Sequence, residues 1–244
     1  RVDSRRGWRE NHACRVSLMT VTINRYRWAN QDSLLLHCDG TDGSTTITDE
    51  SLNTHAATVH GNAQIDTAQS KFGGASLLFD GAGDAVTFAN DTSFEFGSGD
   101  FTVDLWARSA SVDGIGTVFT QRDALNLDIP IHLIRNGTTY RFYASTSGVD
   151  YVIANAVSVG TAALNTWAHL AITRSGDDFK CFNNGALISS FTSSDTINNS
   201  SAPLQFGAQN ITSFNFNGHL DEIRFTKGRA RWTAAFTTPT VPGV

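Results

Sequence analysis

Long apolar runs are missing from this chain, and no stretch approaches the ~20 consecutive apolar residues that a helix needs to cross a bilayer. The arginine-rich start also lacks the apolar core that follows the basic residues of a secretory signal. We therefore expect neither a membrane span nor a signal peptide. The one methionine is Met19, so residues 1–18 either precede a true start or remain from a longer chain.

Cysteine and charge are also scarce. Cys14, Cys38 and Cys181 are an odd and widely spaced set, which is not a disulfide framework, and the lack of a Cys-x-x-Cys pair argues against zinc. Charged residues make up 17% of the chain, below the usual quarter, and the net charge is −5. This negative balance argues against a general affinity for nucleic acid.

The abundant residues predict an all-β protein. Thr, Val, Ile and Phe form short apolar runs, and Gly, Ser, Asn and Asp fill the gaps between them. Residues 100–109 alternate apolar and polar side chains, with Asp104 and Trp106 on the polar face, and Asn136-Gly137 marks a hairpin. Strands about ten residues apart with turn chemistry between them predict a two-sheet antiparallel jelly-roll sandwich.

The chain divides into three parts of different composition. They are a basic extended arm (1–31), the jelly roll (32–233) and an extended tail (234–244). In the arm, Arg5, Arg6 and Arg9 flank Trp8, whereas the rest of the chain is acidic. Basic and aromatic residues together can stack on nucleic-acid bases, but the cations are sparse here. We therefore favour an arm that binds an acidic neighbour or the acidic body of its own chain.

Four stretches resemble the laminin-G-like, concanavalin A-like jelly-roll domains. They are KFGGASLLFDGAGDAVTF (71–88), DFTVDLWARS (100–109), NTWAHLAITRSGDDFKCFNNGALISS (165–190) and FNGHLDEIRFTKGRARW (216–232). The resemblance covers about residues 33–233 and implies the lectin and glucanase fold. The opening LLLHCDGTDGSTTITDES (34–51) and the closing TKGRARW (226–232) look like the version found in bacteriophage virion proteins.

Asp221 and Glu222 are adjacent acids in the closing stretch. On a regular strand they point to opposite faces, so Asp221 should share a face with Ile223 and Phe225. A carboxylate at that position needs a partner, because an unpaired buried charge is costly. The two alternatives are a nearby arginine (Arg224, Arg229 or Arg231) and a calcium ion.

The resemblance implies a calcium ion between the first and the closing strand. Carried over to this chain, the ligands would be Asp39 and Asp221, and Asp42 lies in the same Asp- and Gly-rich loop as Asp39. The alternative is that Asp39 and Asp42 are ordinary turn residues. The calcium site predicted from sequence therefore consists of Asp39, Asp42 and Asp221.

Carbohydrate binding requires aromatic platforms, and catalysis requires paired acids. Trp106, Tyr143 and Tyr151 are the aromatic residues that we predict to stack on sugars. Related glucanases carry the pattern Glu-x-Asp-x-x-Glu on one strand, whereas residues 100–109 offer only Asp104, and one acid cannot serve both as proton donor and as nucleophile. The sequence therefore favours a protein that is not an enzyme.

Three functions follow from these observations. The leading one is a non-enzymatic virion surface protein, a capsid decoration or a tail-associated component, with adhesion to host glycans. Its partners would be other virion proteins bound through the arm and the tail, in an oligomeric assembly without membrane or nucleic acid. The alternatives are a secreted, calcium-stabilised carbohydrate-binding module and a glycoside hydrolase.

Overall fold

The computed structural model describes residues 32–122, 129–211 and 213–242 and shows an all-β sandwich. The strands of these ranges are β1 (Asp32–Leu36), β2 (Ala57–His60), β3 (Gln64–Asp66), β4 (Ser76–Asp80), β5 (Ala85–Phe88), β6 (Phe101–Ser109), β7 (Ile115–Gln121), β8 (Ile131–Asn136), β9 (Thr139–Ala144), β10 (Ala154–Thr161), β11 (Trp167–Ser175), β12 (Asp178–Asn183), β13 (Ala186–Thr192), β14 (Leu204–Phe206) and β15 (Asn217–Lys227). A short 3₁₀ helix covers Thr92–Phe94. Within the described ranges, no helix has the length and apolar character needed to cross a membrane.

Two antiparallel sheets form the sandwich. The 8-stranded sheet has the order β13-β12-β11-β6-β15-β4-β3, and β1 also pairs with β15. The 7-stranded sheet has the order β10-β9-β8-β7-β14-β5-β2. This arrangement confirms the predicted two-sheet antiparallel jelly roll, in which residues that are distant in sequence lie side by side.

The core forms where the inner faces of the two sheets meet. In β6 the alternation expected from the sequence is present, because Phe101, Val103 and Leu105 lie in the core cluster while Asp104 and Trp106 lie on the other face. Phe225 of β15 packs edge-on against the ring of Phe119 from the other sheet, with 5.3 Å between centroids. Cys38 and Cys181 are buried free thiols, so they pack as small apolar residues.

Strand β15 is irregular at the two acids. Its first part, Asn217–Leu220, pairs with β4, and its second part pairs with β1, with Ile223 opposite Leu36. Between these parts the register against β6 shifts from Asp221 to Arg224, and Glu222 has a φ of 49°. This is a β-bulge, which adds residues to one strand and changes the faces to which they point.

The segment after β15 lies on the outer face of the 8-stranded sheet. The Trp232 and Phe236 rings stack at 4.0 Å between centroids, and both meet the His169 ring edge-on. The backbone N–H of Phe236 donates to the carbonyl of Gly185 at 2.9 Å. The tail predicted from residue 234 onward is therefore packed on its own sheet as far as residue 242.

Candidate functional site

The bulge places Asp221 away from the core. Asp221 is opposite Trp106 in the register of β6, and Trp106 lies on the outer face. The expectation that Asp221 shares a face with Ile223 and Phe225 is wrong, because the residues added in the bulge break the two-residue alternation. The Glu222 side chain also points away from the core, and its Oε1 lies 2.8 Å from Nδ1 of His37, within hydrogen-bonding distance.

Backbone N–H groups bind the Asp221 carboxylate. Asp221 Oδ2 accepts hydrogen bonds from the N–H of Lys71 at 2.7 Å and of Phe72 at 3.1 Å, and Oδ1 accepts from the N–H of Glu222 at 2.8 Å. Burial raises the pKa of Asp221 to about 7, and the nearby Glu222 acts in the same direction, although the three N–H donors oppose it. The carboxylate thus sits where negative charge is costly.

Two of the three arginines proposed as partners, Arg224 and Arg231, bind other acids. The Arg224 guanidinium donates to both oxygens of Asp104, from Nε at 3.0 Å and from Nη2 at 2.9 Å. Arg231 donates to the Asp32 carboxylate at the start of β1. Both pairs are buried, so charge-assisted hydrogen bonds join β6 to β15 and β1 to the segment after β15.

The predicted calcium ligands are only partly brought together. Asp39 lies against Gly73, in the loop whose Lys71 and Phe72 bind Asp221, so the first and closing segments do meet at this end. Asp42 is instead tied to Thr67, whose N–H donates to its Oδ1 at 3.0 Å. Across the described ranges, no group of three or more His, Cys, Asp or Glu side chains could hold a metal ion.

Trp106 has no open ring face. Only 5% of it is exposed, Lys71 Nζ lies over its ring at 4.0 Å, and Phe72 packs edge-on against it. A shallow pocket borders Trp106, His169 and the Asp104–Arg224 pair, and Pro239 and Val241 of the C-terminal segment complete its wall. The predicted stacking role of Trp106 is therefore corrected, because the chain covers this ring with its own residues.

Tyr143 and Tyr151 lie together on the other sheet. Their ring centroids are 4.8 Å apart, and the His132 ring lies 6.0 Å from Tyr143. Both tyrosines are partly exposed on the outer face of the 7-stranded sheet. Two of the three predicted aromatic residues thus lie side by side, and Trp106 is on the other sheet.

A row of side chains extends from Tyr143 across this face. The row, which we call the polar row, consists of Tyr143 (β9), His132 (β8), Thr120 (β7), Gln205 (β14), Thr87 (β5) and Thr58 (β2). Each residue is the direct cross-strand neighbour of the next, so at about 4.8 Å per strand the row is roughly 24 Å long. Sequence reasoning missed it, because the neighbours come from six separate strands whose register no local motif reveals.

The middle of the polar row has unused hydrogen-bonding capacity. Thr120 Oγ1, His132 Nε2 and Gln205 Oε1 are buried, and none has a hydrogen-bond partner among the described residues. Buried polar atoms of this kind are uncommon, because each costs about 1–3 kcal/mol. Burial, together with the charge of Arg122, lowers the pKa of His132 to about 3, so this ring is neutral at ordinary pH.

A second histidine network has the order of a hydrolytic triad. His55 Nδ1 lies 2.8 Å from Asp49 Oδ2, and His55 Nε2 lies 3.2 Å from Ser93 Oγ. However, Asp91 Oδ1 lies 3.7 Å from the same Nε2 and accepts from the Ser93 N–H at 2.8 Å. A carboxylate there opposes the negative charge that an acyl-transfer reaction develops. We interpret the network as a link between the 49–55 loop and the 3₁₀ helix.

The predicted arm residues Arg5, Arg6, Trp8 and Arg9 lie outside the described residues.

The structure defines the class of the protein, an antiparallel jelly-roll sandwich with an aromatic and polar outer face. The family model described as the concanavalin A-like lectin/glucanases superfamily, of laminin G type, matches residues 80–232. The chain belongs to this family, as the resemblance in the sequence implied.

Solved structures with the same fold include bacterial toxin domains. The binding domain of Paraclostridial Mosquitocidal Protein 1 has 15% identity and a TM-score of 0.64, covering 83% of this chain and 50% of that one. The botulinum neurotoxin serotype G binding domain has 14% identity and a TM-score of 0.60, covering 82% and 48%. The serotype D ligand binding domain in complex with N-acetylneuraminic acid has 13% identity and a TM-score of 0.63, covering 84% and 50%.

The present chain therefore spans about half the length of these solved chains. At this level of identity the likeness concerns the fold. A comparison with curated proteins found no match.

Proposed function

We propose that this domain binds glycans without catalysis, on the outer face of its 7-stranded sheet. Tyr143 and Tyr151 would stack on the apolar face of a sugar ring, and the polar row would bind its hydroxyl groups. The observation that carries the proposal is the pair of partly exposed tyrosines, 4.8 Å apart, at the end of a row of polar side chains. Ligand sites typically combine aromatic surface with a few convergent polar groups.

The composition of the polar row supports binding rather than hydrolysis. Glycosidases need two carboxyl groups on either side of the scissile bond. The six residues of the row contain no Asp or Glu, and Asp104 lies on the other sheet in an ion pair with Arg224. The solved neighbours are described as binding domains, one of them in complex with a sugar, although a fold alone does not determine function.

Tyrosine variants test this site directly. Tyr151→Ala and Tyr143→Ala should each weaken binding to glycans on an array, and then in calorimetry, by about tenfold, because each removes an aromatic platform worth about 1 kcal/mol or more. Trp167→Ala is the matched control, because Trp167 is a partly exposed aromatic residue on the opposite sheet. If no glycan binds, or if the tyrosine variants bind as the parent does, the proposal fails.

We also propose that the domain belongs to a virion surface protein. Its support is the likeness of residues 34–51 and 226–232 to the bacteriophage version of the fold, together with the basic arm of residues 1–31. The arm would then attach the domain to an acidic shell. Deletion of residues 1–31 should reduce incorporation into particles, measured by quantitative blotting of purified virions, and unchanged incorporation would refute the role of the arm.

Calcium remains a proposal for the end of the sandwich where Asp39 and Asp221 border the same loop. Negative charge is concentrated there. Burial raises the pKa of both Asp39 and Asp221, and the nearby Glu222 carboxylate raises the pKa of each further. A bound Ca²⁺ would offset this charge with carboxylate and backbone oxygens. Millimolar Ca²⁺ should raise the melting temperature of the parent but not of Asp221→Asn. A melting temperature that does not respond to Ca²⁺ would remove calcium from the account.

A further inference from the structure

Cationic side chains gather around the two tyrosines, although the chain as a whole has a net charge of −5. Arg122 follows β7 directly, beside Thr120 and Gln205 of the polar row. Arg141 is two residues before Tyr143 on β9 and therefore projects from the same face. The acid of the neighbouring turn, Asp150, accepts hydrogen bonds from Ser147 Oγ at 2.6 Å and from Ser145 Oγ at 3.5 Å.

Arg122 is held at both ends by glutamines. Its backbone carbonyl accepts a hydrogen bond from Gln205 Nε2 at 2.6 Å. With its amide oxygen turned toward Arg122, Gln209 accepts from the guanidinium at Nη1, at Nε (3.1 Å) and at Nη2 (3.3 Å). Because Gln209 is neutral, it orients the guanidinium without neutralising its charge. An oriented side chain loses less entropy when it binds a ligand.

The positive charge of Arg122 affects the pKa of both His132 and Tyr151. It lowers the pKa of His132 further below the value set by burial, and it opposes the rise that burial causes in the pKa of Tyr151. His132 is consequently neutral, so among the described residues near the tyrosines the positive charge comes from Arg122 and Arg141. A guanidinium near two tyrosine rings combines a donor fork for a carboxylate with an apolar surface for a sugar ring.

We propose that the ligand of this site is an acidic sugar with a carboxylate, of the uronic or sialic type, and that Arg122 binds that carboxylate. The inference rests on the proposed glycan binding and specifies the class of glycan. In this arrangement the pyranose ring lies on Tyr143 and Tyr151, its carboxylate points to Arg122, and its hydroxyl groups face the polar row.

Matched ligands separate this proposal from glycan binding in general. Tetragalacturonate and its methyl ester have the same sugar stereochemistry and differ in charge, while 3′-sialyllactose and lactose differ by one acidic sugar. Calorimetry with the full chain should show the acidic member of a pair binding at least about tenfold more tightly, because hydrogen bonds to charged groups are the stronger ones. The difference should shrink as salt is added.

Three variants test the assignment to Arg122. Arg122→Gln should remove most of the preference for the acidic ligand while binding of the neutral ligand changes little. Arg122→Lys keeps the charge but loses the planar fork, so it should restore only part of the preference. Arg108→Gln is the control, because it removes the same charge from the outer face of the opposite sheet.

The outcomes are distinguishable. Equal affinity for the acidic and neutral ligands, or an unchanged preference in Arg122→Gln, would overturn the acidic-sugar proposal and leave glycan binding intact. Absence of binding to all four ligands, combined with a silent glycan array, would overturn the proposed function itself. A preference for the acidic ligand in the parent and in Arg108→Gln, but not in Arg122→Gln, would support the proposal.

Discussion

At the scale of single residues, Asp104 and Arg224 form a buried ion pair. Burial alone would raise the pKa of Asp104, but the Arg224 guanidinium and His169 together lower it to about 2. The pair lies between neighbouring strands β6 and β15, and its side chains are 3% and 5% exposed. Its geometry, with two hydrogen bonds, suits a structural role better than a catalytic one.

Removal of one partner should therefore be costly. Asp104→Asn leaves the charge of Arg224 buried with weaker compensation, so the free energy of unfolding in urea should fall by about 3 kcal/mol. The control is Asp178→Asn, whose pair with Lys180 is at the surface and whose side chain is 58% exposed. That variant should change the free energy of unfolding by less than about 0.5 kcal/mol. Equal effects of the two variants would contradict the prediction.

His132 should make the stability depend on pH. Its pKa is about 3 in the folded chain and about 6.5 in the unfolded chain, so below pH 6.5 only the unfolded state takes up this proton. Stability is therefore lost as the pH falls from 6.5 toward 3, at up to about 1.4 kcal/mol per pH unit from this group. In urea unfolding between pH 7 and pH 4, His132→Gln should lose less stability than the parent. Parallel pH profiles would show that His132 does not make this contribution.

At the scale of elements, the sequence predicted regular strands well and interruptions poorly. The alternation in β6 depends only on local order, so it could be predicted from residues 100–109. The bulge at Asp221 and Glu222 could not, because it forms where β15 changes its neighbour from β4 to β1. The burial of Trp106 also depends on a distant segment, because Lys71 and Phe72 pack against its ring.

The C-terminal segment and the β12–β13 turn should depend on each other. A Cβ atom at Gly185 would lie 1.9 Å from the carbonyl oxygen of Phe236, whereas one at Gly176 would meet nothing within 4 Å. Both glycines have positive φ, so Gly→Ala strains the backbone similarly at each. Gly185→Ala should therefore lower the melting temperature more than Gly176→Ala. It should also shift the fluorescence emission of Trp232 to longer wavelength, because the ring becomes more exposed to solvent. Equal shifts would mean that the segment does not need this contact.

At the scale of the whole molecule, closure depends on the meeting of the first and last strands. Leu34 and Leu36 of β1 are fully buried in the core and pair with the second half of β15. The sequence predicted that these ends meet, because the family resemblance links the opening and closing stretches. It did not predict the polar row, which requires the register of six strands.

Truncation tests the role of β1. A chain that begins at residue 37 lacks Leu34 and Leu36 and leaves one edge of β15 unpaired at the centre of the 8-stranded sheet. We expect it to lose the cooperative unfolding transition in circular dichroism, because the loss of two buried leucines costs several kcal/mol. A chain that begins at Asp32 keeps β1 and should retain the transition. Cooperative unfolding of both chains would contradict this role of β1.

The pairing of Asp32 with Thr226 also has a mechanical consequence. The chain enters the sandwich and leaves its last strand at the same end of one antiparallel pair. A force that pulls these two points apart therefore opens the hydrogen bonds of β1 and β15 one after another, rather than loading all of them in parallel. In an adhesive domain, such geometry favours attachment of both ends to the same support, with the load applied through the bound sugar instead.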